Sequence, residues 1–338
     1  MASGMLDQVE KSLTDPVFKL YESGIPMYPR SSINEMIDEI NHIDKKKPTI
    51  EVKQWDGRTT TYPNNPGKNK RTHIEFVRIQ EVLGNPGQVW PLRLEYDNDE
   101  NNKTVNYEKA KKQFYRLRDM WERSDVAKTI KSNLLRYDGC KLTGVIGLAL
   151  GSFAKLGSPL SNRSLTQLAA LLYIAKILNE NQGRHDIPVY VQEPCFSSDE
   201  RLFIHQIGKQ VMSDLNGTDL FLPPPPGHLD LPAAVVNHPD GLMMIDAATV
   251  VLSISPDIAI KSFVADDIGY LPAVFITDRP PSAEQMARIP PDMLEHVLNN
   301  QTDPETKRWR DVVATRCTKI PLPEYEDGFT GVDMIIRN

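Results

Sequence analysis

Apolar positions are sparse and periodic in the first third of the chain and dense in its middle, with the change near residue 136. Upstream, Ser31 to Ile43 has an amphipathic helical pattern, opened by Ser32 and Glu35 at capping-box spacing. Thr49 to Trp55 alternates, Asp56-Gly57 supplies a hairpin turn, and Thr59 to Tyr62 returns. Residues 62–70 read as a loop, Ile74 to Ile79 as a short strand, and 97–104 as a polar turn. Asn106 to Leu135 then reads as one long helix. Ala110, Phe114, Leu117 and Trp121 fall at helical spacing, and Ile130 and Leu134 continue the stripe, which fits a packing face.

The middle of the chain alternates strand and helix. Lys141 to Leu150 is an apolar run bounded by Gly151-Ser152 and predicts a buried parallel strand. Ser164 to Gln167 has capping-box spacing and predicts a helix to about Asn179, apolar nearly all round. Ile187 to Gln192 is the next strand. Ser197 to Glu200 opens a second helix, with Leu202, Ile204, Ile207 and Val211 turned inward. Asp219 to Leu222, Met243 to Ser253 (its start open to helix) and Ala273 to Thr277 predict three more strands. This is the βαβαβ pattern of a Rossmann-like, doubly wound, mostly parallel sheet. The predicted organisation is an α+β accessory region over 1–135, that domain over 136–280, and C-terminal helices and a strand completing the fold over 281–338.

Composition narrows the function. The 338 residues carry a net charge of −6, which argues against nucleic-acid binding through a general positive field. Cys140, Cys195 and Cys317 form no CxxC pair, so no zinc ribbon or thioredoxin-type site is signalled, and Cys195 reads as a buried thiol. The start of the sequence has no apolar leader, and its longest apolar run is too short and interrupted for a bilayer. The expectation is a soluble protein of the cytoplasm or nucleus that binds no membrane. Asp266-Asp267 reads as an ordinary acidic loop, and no metal site is expected.

Ligands of doubly wound sheets gather at the carboxyl ends of the strands. A glycine there lets a ligand approach the backbone, a helix N-terminus suits a phosphate, and an acid ending the second strand suits ribose hydroxyls. Gly147, Gly151, Ser152 and Glu193 are the candidates for these roles. Gln167 and Asp199, near the starts of the two following helices, complete the set, and Gln167 also fits a capping residue. His228 and Asp230, after the tract Pro223 to Pro226, are the candidate acid/base pair. The spacing departs from the dinucleotide fingerprint. Gly147 to Gly151 is not GxGxxG, and Glu193 follows Gly151 by 42 positions against roughly 20.

Three segments, in order and spacing, resemble the Sensitivity-to-Red-light-Reduced-like (SRR-like) family, with a fungal-type leader at Ser31–Trp55. They are Val145 to Phe153 with its Gly-Leu-Ala-Leu-Gly-Ser run, Gln167 to Leu171, and Val189 to Phe196 with Asp199 and Ile207-Gly208 behind it. The resemblance implies a regulatory protein with protein partners, and haem among its ligand classes. The family's proline-histidine-cysteine segment is replaced here by Pro223-Pro224-Pro225-Pro226-Gly227-His228, which removes the cysteine such a haem role would rest on. Three readings stay open: a regulatory module binding a nucleotide-type cofactor, an NAD(P)-dependent or S-adenosylmethionine-dependent enzyme using that cleft, and an interaction scaffold.

Overall fold

The computed structural model describes residues 21, 23–41, 49–54, 56–63, 70–77, 81–82, 89–98, 104–216, 233–267, 270–290, 303 and 305–338. The chain forms two compact units. One is drawn from Met1–Glu100, Pro256–Ile268 and Pro280–Val312, the other from Asn101–Ser255, Gly269–Arg279 and Val313–Asn338. Residues 101–135, read above with the accessory region, belong to the unit that holds the sheet, and 280–312 to the other unit.

In the first unit, α1 (Arg30–Asn41) precedes β1 (Thr49–Lys53), which pairs antiparallel with β2 (Thr59–Pro63). Ser32 therefore lies inside the helix and does not cap it. Gly57, at φ +84°, closes the hairpin, as the Asp-Gly turn predicts. β3 (Lys70–Phe76) pairs antiparallel with β4 (Leu92–Asn98), so the strand read at Ile74 begins earlier, and its partner went unread. Asp266 ends the helix Ile260–Asp266 and is no loop residue. One of its oxygens accepts from the N–H groups of Met27 and Tyr28 at 2.6 and 2.8 Å, and the other from Arg308 at 2.7 Å. Arg308 also donates to the carbonyls of Tyr21 and Ile25 and stacks 3.9 Å over the Tyr21 ring. One ion pair thus gathers the backbone groups of Tyr21, Ile25, Met27 and Tyr28.

The second unit begins with α2 (Tyr107–Glu122) and α3 (Asp125–Arg136). The single helix predicted here is broken because the Ser124 hydroxyl accepts the Ala127 N–H and caps a new start. The apolar stripe still runs across both helices, with Ala110, Phe114, Leu117, Trp121, Ile130 and Leu134 buried. Then follow β5 (Gly144–Leu148), α4 (Pro159–Gln182), β6 (Val189–Gln192), α5 (Ser198–Asn216), β7 (Ala233–Val236), α6 (Asp240–Met243), β8 (Thr249–Ser253) and β9 (Val274–Asp278). β10 (Cys317–Pro321) and β11 (Val332–Arg337) close the chain. The sheet order is β10-β11-β9-β8-β5-β6-β7. β9 to β7 are all parallel, and β11 runs antiparallel to both its neighbours. In chain order the parallel strands read 3-2-1-4-5, the doubly wound arrangement expected from sequence. The segment Asp219–Leu222 lies outside the described residues, and the strand beside β6 is Ala233–Val236. The Met243–Ser253 run is strand only from Thr249; the helical turn α6 ends at Met243.

Helix packing sets the close approaches. A Cβ on Gly147 would meet the Leu171 side chain at 2.3 Å, and one on Gly208 would meet the Ala233 Cβ at 2.3 Å and its backbone at 3.4 Å. Glycine thus lets α5 lie directly on β7. Gly208→Ala gains up to about 1 kcal/mol of helix propensity but forces backbone apart, which typically costs about 1–3 kcal/mol. The expected outcome is a net loss of stability in urea unfolding, against the sign that propensity alone gives.

Burial pushes the Asp266 carboxyl up from 3.8 to about 6, despite Arg308 and two N–H donors favouring its charge. Its folded pKa is raised, so its contribution is fully present below about pH 4 and lost as pH rises through about 6, a swing of about 3 kcal/mol. Denaturant midpoints measured from pH 4 to 7 should fall over that window. Asp266→Asn should flatten this part of the profile.

Candidate functional site

The crossovers from β5 to β7 run one way along the sheet and the step to β8 reverses them, so the switch point lies between β5 and β8. Ala149 and Ser255 follow these two strands at φ +57° and +53°. They are the two non-glycine residues at positive φ among those described, and both are at the switch point. Strain of about 1–3 kcal/mol each persists only where surroundings enforce it. At Ser255 the enforcement is visible. Arg163 donates to the Ile254 carbonyl at 2.7 Å, and Asp278 accepts the Ser255 N–H at 3.3 Å.

Gly151, at φ +81°, turns the chain out of β5, where L side chains are strained. Its N–H donates to Glu193 Oε2 at 2.9 Å, while Glu193 Oε1 accepts the Cys195 N–H at 3.0 Å. Two residues on, Glu200 Oε1 accepts the Phe153 N–H at 2.7 Å and the Ser152 hydroxyl at 2.8 Å. Glu200 Oε2 takes the N–H and hydroxyl of Ser197 at 2.8 and 3.0 Å, and the Ser197 hydroxyl accepts the Glu200 N–H. The capping box read at Ser197–Glu200 therefore forms, with a second task on its other oxygen. Glu200 is 0% and Glu193 7% exposed. The backbone donors after β5 that would cradle a phosphate face two internal carboxylates instead.

Of the sequence candidates, the fold brings Gly151, Ser152 and Glu193 together. Gly147 is filled over by Leu171 and Leu150, so its missing side chain serves packing and not ligand approach. α4 starts at Pro159 with Ser158 as its cap, not at Ser164. Gln167 is consequently buried mid-helix, where its amide donates to the Gly328 carbonyl at 3.5 Å, and it caps nothing. Asp199, in the first turn of α5, accepts the Val105 N–H at 2.9 Å. Cys195 is exposed and not a buried thiol, because it leads the turn out of β6. Leu202 is 54% exposed, so the inward face of α5 is Phe203, Ile204, Ile207 and Val211. His228 and Asp230 lie outside the described residues.

Sequence reasoning missed Gln192, the buried last residue of β6. Its Oε1 accepts the Leu242 N–H at 3.3 Å, and its Nε2 lies 2.9 Å from His238 Nδ1. A backbone N–H only donates, so the amide oxygen must face Leu242 and the NH2 must face His238. His238 Nδ1 is then an acceptor, and the ring proton sits on Nε2. Gly241 permits the approach, since a Cβ there would meet Gln192 at 2.9 Å. A polar residue closing an apolar strand was the available signal. Burial raises the carboxyl pKa of nearby Asp240. Among the described residues no group of three or more His, Cys, Asp or Glu is placed to hold a metal ion, and no helix is long and apolar enough to cross a membrane.

Glu200→Gln turns an NH2 group toward a donor on one side or the other, because all four partners of its carboxylate donate. The expected cost is about 2–4 kcal/mol in urea unfolding, with faster amide exchange at Phe153 than at the β5 amides.

No curated protein matches the chain. Among solved structures it is similar to the crystal structure of cofactor-bound Rv0187 from MTB, at 13% identity and a TM-score of 0.36, over 68% of this chain and 89% of that one. Residues 126–255, from α3 to just past β8, match the family model of the SRR1 domain.

Proposed function

We propose that this chain is a regulatory protein whose SRR1 domain binds a nucleoside-type cofactor lacking phosphate, of the S-adenosylmethionine class, at the carboxyl edge of β5 and β6. The observation that carries this reading is the pair of carboxylates, Glu193 and Glu200, set on the loop after β5. An acid ending the second strand beside a glycine turn keeps the ribose-binding half of the doubly wound site. The phosphate-binding half is filled from within, because the N–H groups of Gly151 and Phe153 already serve carboxylates. A pyrophosphate would displace these bonds and meet two negative charges. The cationic sulfonium and ammonium of S-adenosylmethionine meet attraction there instead.

The test is thermal unfolding of the full chain with S-adenosylmethionine, S-adenosylhomocysteine, NAD and ATP, alongside Glu193→Gln. The first two ligands should stabilise the wild type by about 2.7 kcal/mol at a hundredfold excess over Kd. Glu193→Gln should unfold cooperatively yet bind roughly tenfold more weakly. Equal stabilisation by NAD would overturn the phosphate-free reading. No response to any ligand would overturn the cofactor reading in favour of a protein-interaction scaffold.

A further inference from the structure

The outer side of α2 carries a row of cations. From Tyr107 to Arg123 there are six Lys and Arg against three Asp and Glu, a net +3 in a chain of −6, so the rest of the chain carries −9. At 3.6 residues per turn, Lys109, Lys112, Arg116, Met120 and Arg123 fall within an arc of about 80° and span about 21 Å along the helix. Ala110, Phe114, Leu117 and Trp121 occupy a separate, buried arc. All five residues of the row are exposed, Met120 to 48%. The Arg116 guanidinium donates to the Met120 sulfur at 3.6 Å, so the apolar side chain lies among the charges.

The acids of α2 do not answer this row. Asp119 and Glu122 both pair with Arg118, at 2.8 and 3.6 Å, and Arg118 lies off the row. Lys109, Lys112, Arg116 and Arg123 make no ion pair among the described residues. Arg116 and Asp327 act with opposite sign on the Tyr325 hydroxyl, but no ion pair joins the two. Exposed helical turns elsewhere do pair at i,i+4, as Glu284 with Arg288 and Lys307 with Asp311. Lys112 and Arg116 stand at that spacing with like charge, which works against the helix. Lys109 stands in the first turn, the wrong end of the helix dipole for a cation. An anionic partner would relieve both.

We propose that this row docks an acidic, helix-forming segment of a partner protein, its carboxylates against the four cations and an apolar side chain against Met120. A helix of about 14 residues matches the length of the row. A nucleic acid or an anionic bilayer would run past it, onto a chain that is otherwise net negative. Met120, and not an aromatic ring, sits among the cations, which suits an apolar side chain better than a base. The site lies on α2 and does not rest on the cofactor reading.

The experiment is fluorescence anisotropy of the full chain with a labelled peptide of about 14 residues. The peptide is helix-forming, with Glu along one face and one Leu among them. Its Lys-for-Glu counterpart, a short single-stranded DNA and phosphatidylserine vesicles run alongside. The wild type should bind the Glu peptide saturably, more weakly as salt rises, and ignore the Lys peptide. Lys112→Gln with Arg116→Gln should bind roughly tenfold more weakly. These side chains are exposed, so the variant should unfold at the wild-type temperature; Arg123→Gln carries the same comparison should it not. Met120→Ser should weaken binding without changing its salt dependence. Lys131→Gln, on α3 and off the row, should bind as the wild type does. No binding of the Glu peptide, or equal binding by wild type and the double variant, would overturn the proposal. So would tighter binding of the DNA or the vesicles that the double variant loses, which would assign the row to that partner instead.

Discussion

Glu200 ties the carboxyl edge of this sheet together. One oxygen holds the start of α5 through Ser197, and the other holds the chain leaving β5 through Ser152 and Phe153. A carboxylate with no exposed surface is tolerable only when its lone pairs are met, and here four donors meet them. The same bonds fix the turn after the first strand relative to the second helix, so the Gly151 N–H faces Glu193. The site is rigid because its anions are internal.

That rigidity has a chemical consequence. Doubly wound sheets that bind dinucleotides leave their first-loop amides open, so that ligand phosphate completes the hydrogen bonding. In this chain the protein completes it. A ligand gains nothing by bringing further negative charge to the β5 loop, and it gains by bringing positive charge or neutral hydroxyls. At β9 and β11 the carboxylate is met by cations instead, where Arg279 and Lys319 gather on Asp333.

How much of this was legible in the sequence follows from which signals are local. β5, β6, β8 and β9 were readable because apolar runs buried on both faces leave a continuous signature. The start of α4 was misplaced because two start signals compete. Ser164 to Gln167 has the capping-box spacing, yet Ser158-Pro159, a cap followed by proline at the first helical position, prevails and buries Gln167. The break between α2 and α3 was hidden because the apolar stripe continues across Ser124. β7 escaped notice because Ala233–Val236 is short and has few large apolar residues. At the site, Glu193 and Gly151 were legible as residue types at strand ends. Their bond to each other was not, nor was the second task of Glu200, because both join residues more than forty positions apart.

The backbone strain fits the same division of labour. Ala149 and Ser255 hold a conformation that glycine would adopt without penalty, so their side chains do not explain it. What they share is position, each just past one of the two strands that flank the switch point. Arg163 reaches across from α4 to the Ile254 carbonyl, and Asp278 from β9 to the Ser255 N–H, so the second turn is clamped from both sides. The first is held by the Ala149 N–H on the Gln192 carbonyl and by Glu193 on Gly151. Clamping of this kind on both turns opposes relaxation of either one. The two turns are therefore held in shape by bonds within the chain, which would lower the ordering cost of the binding proposed at this edge.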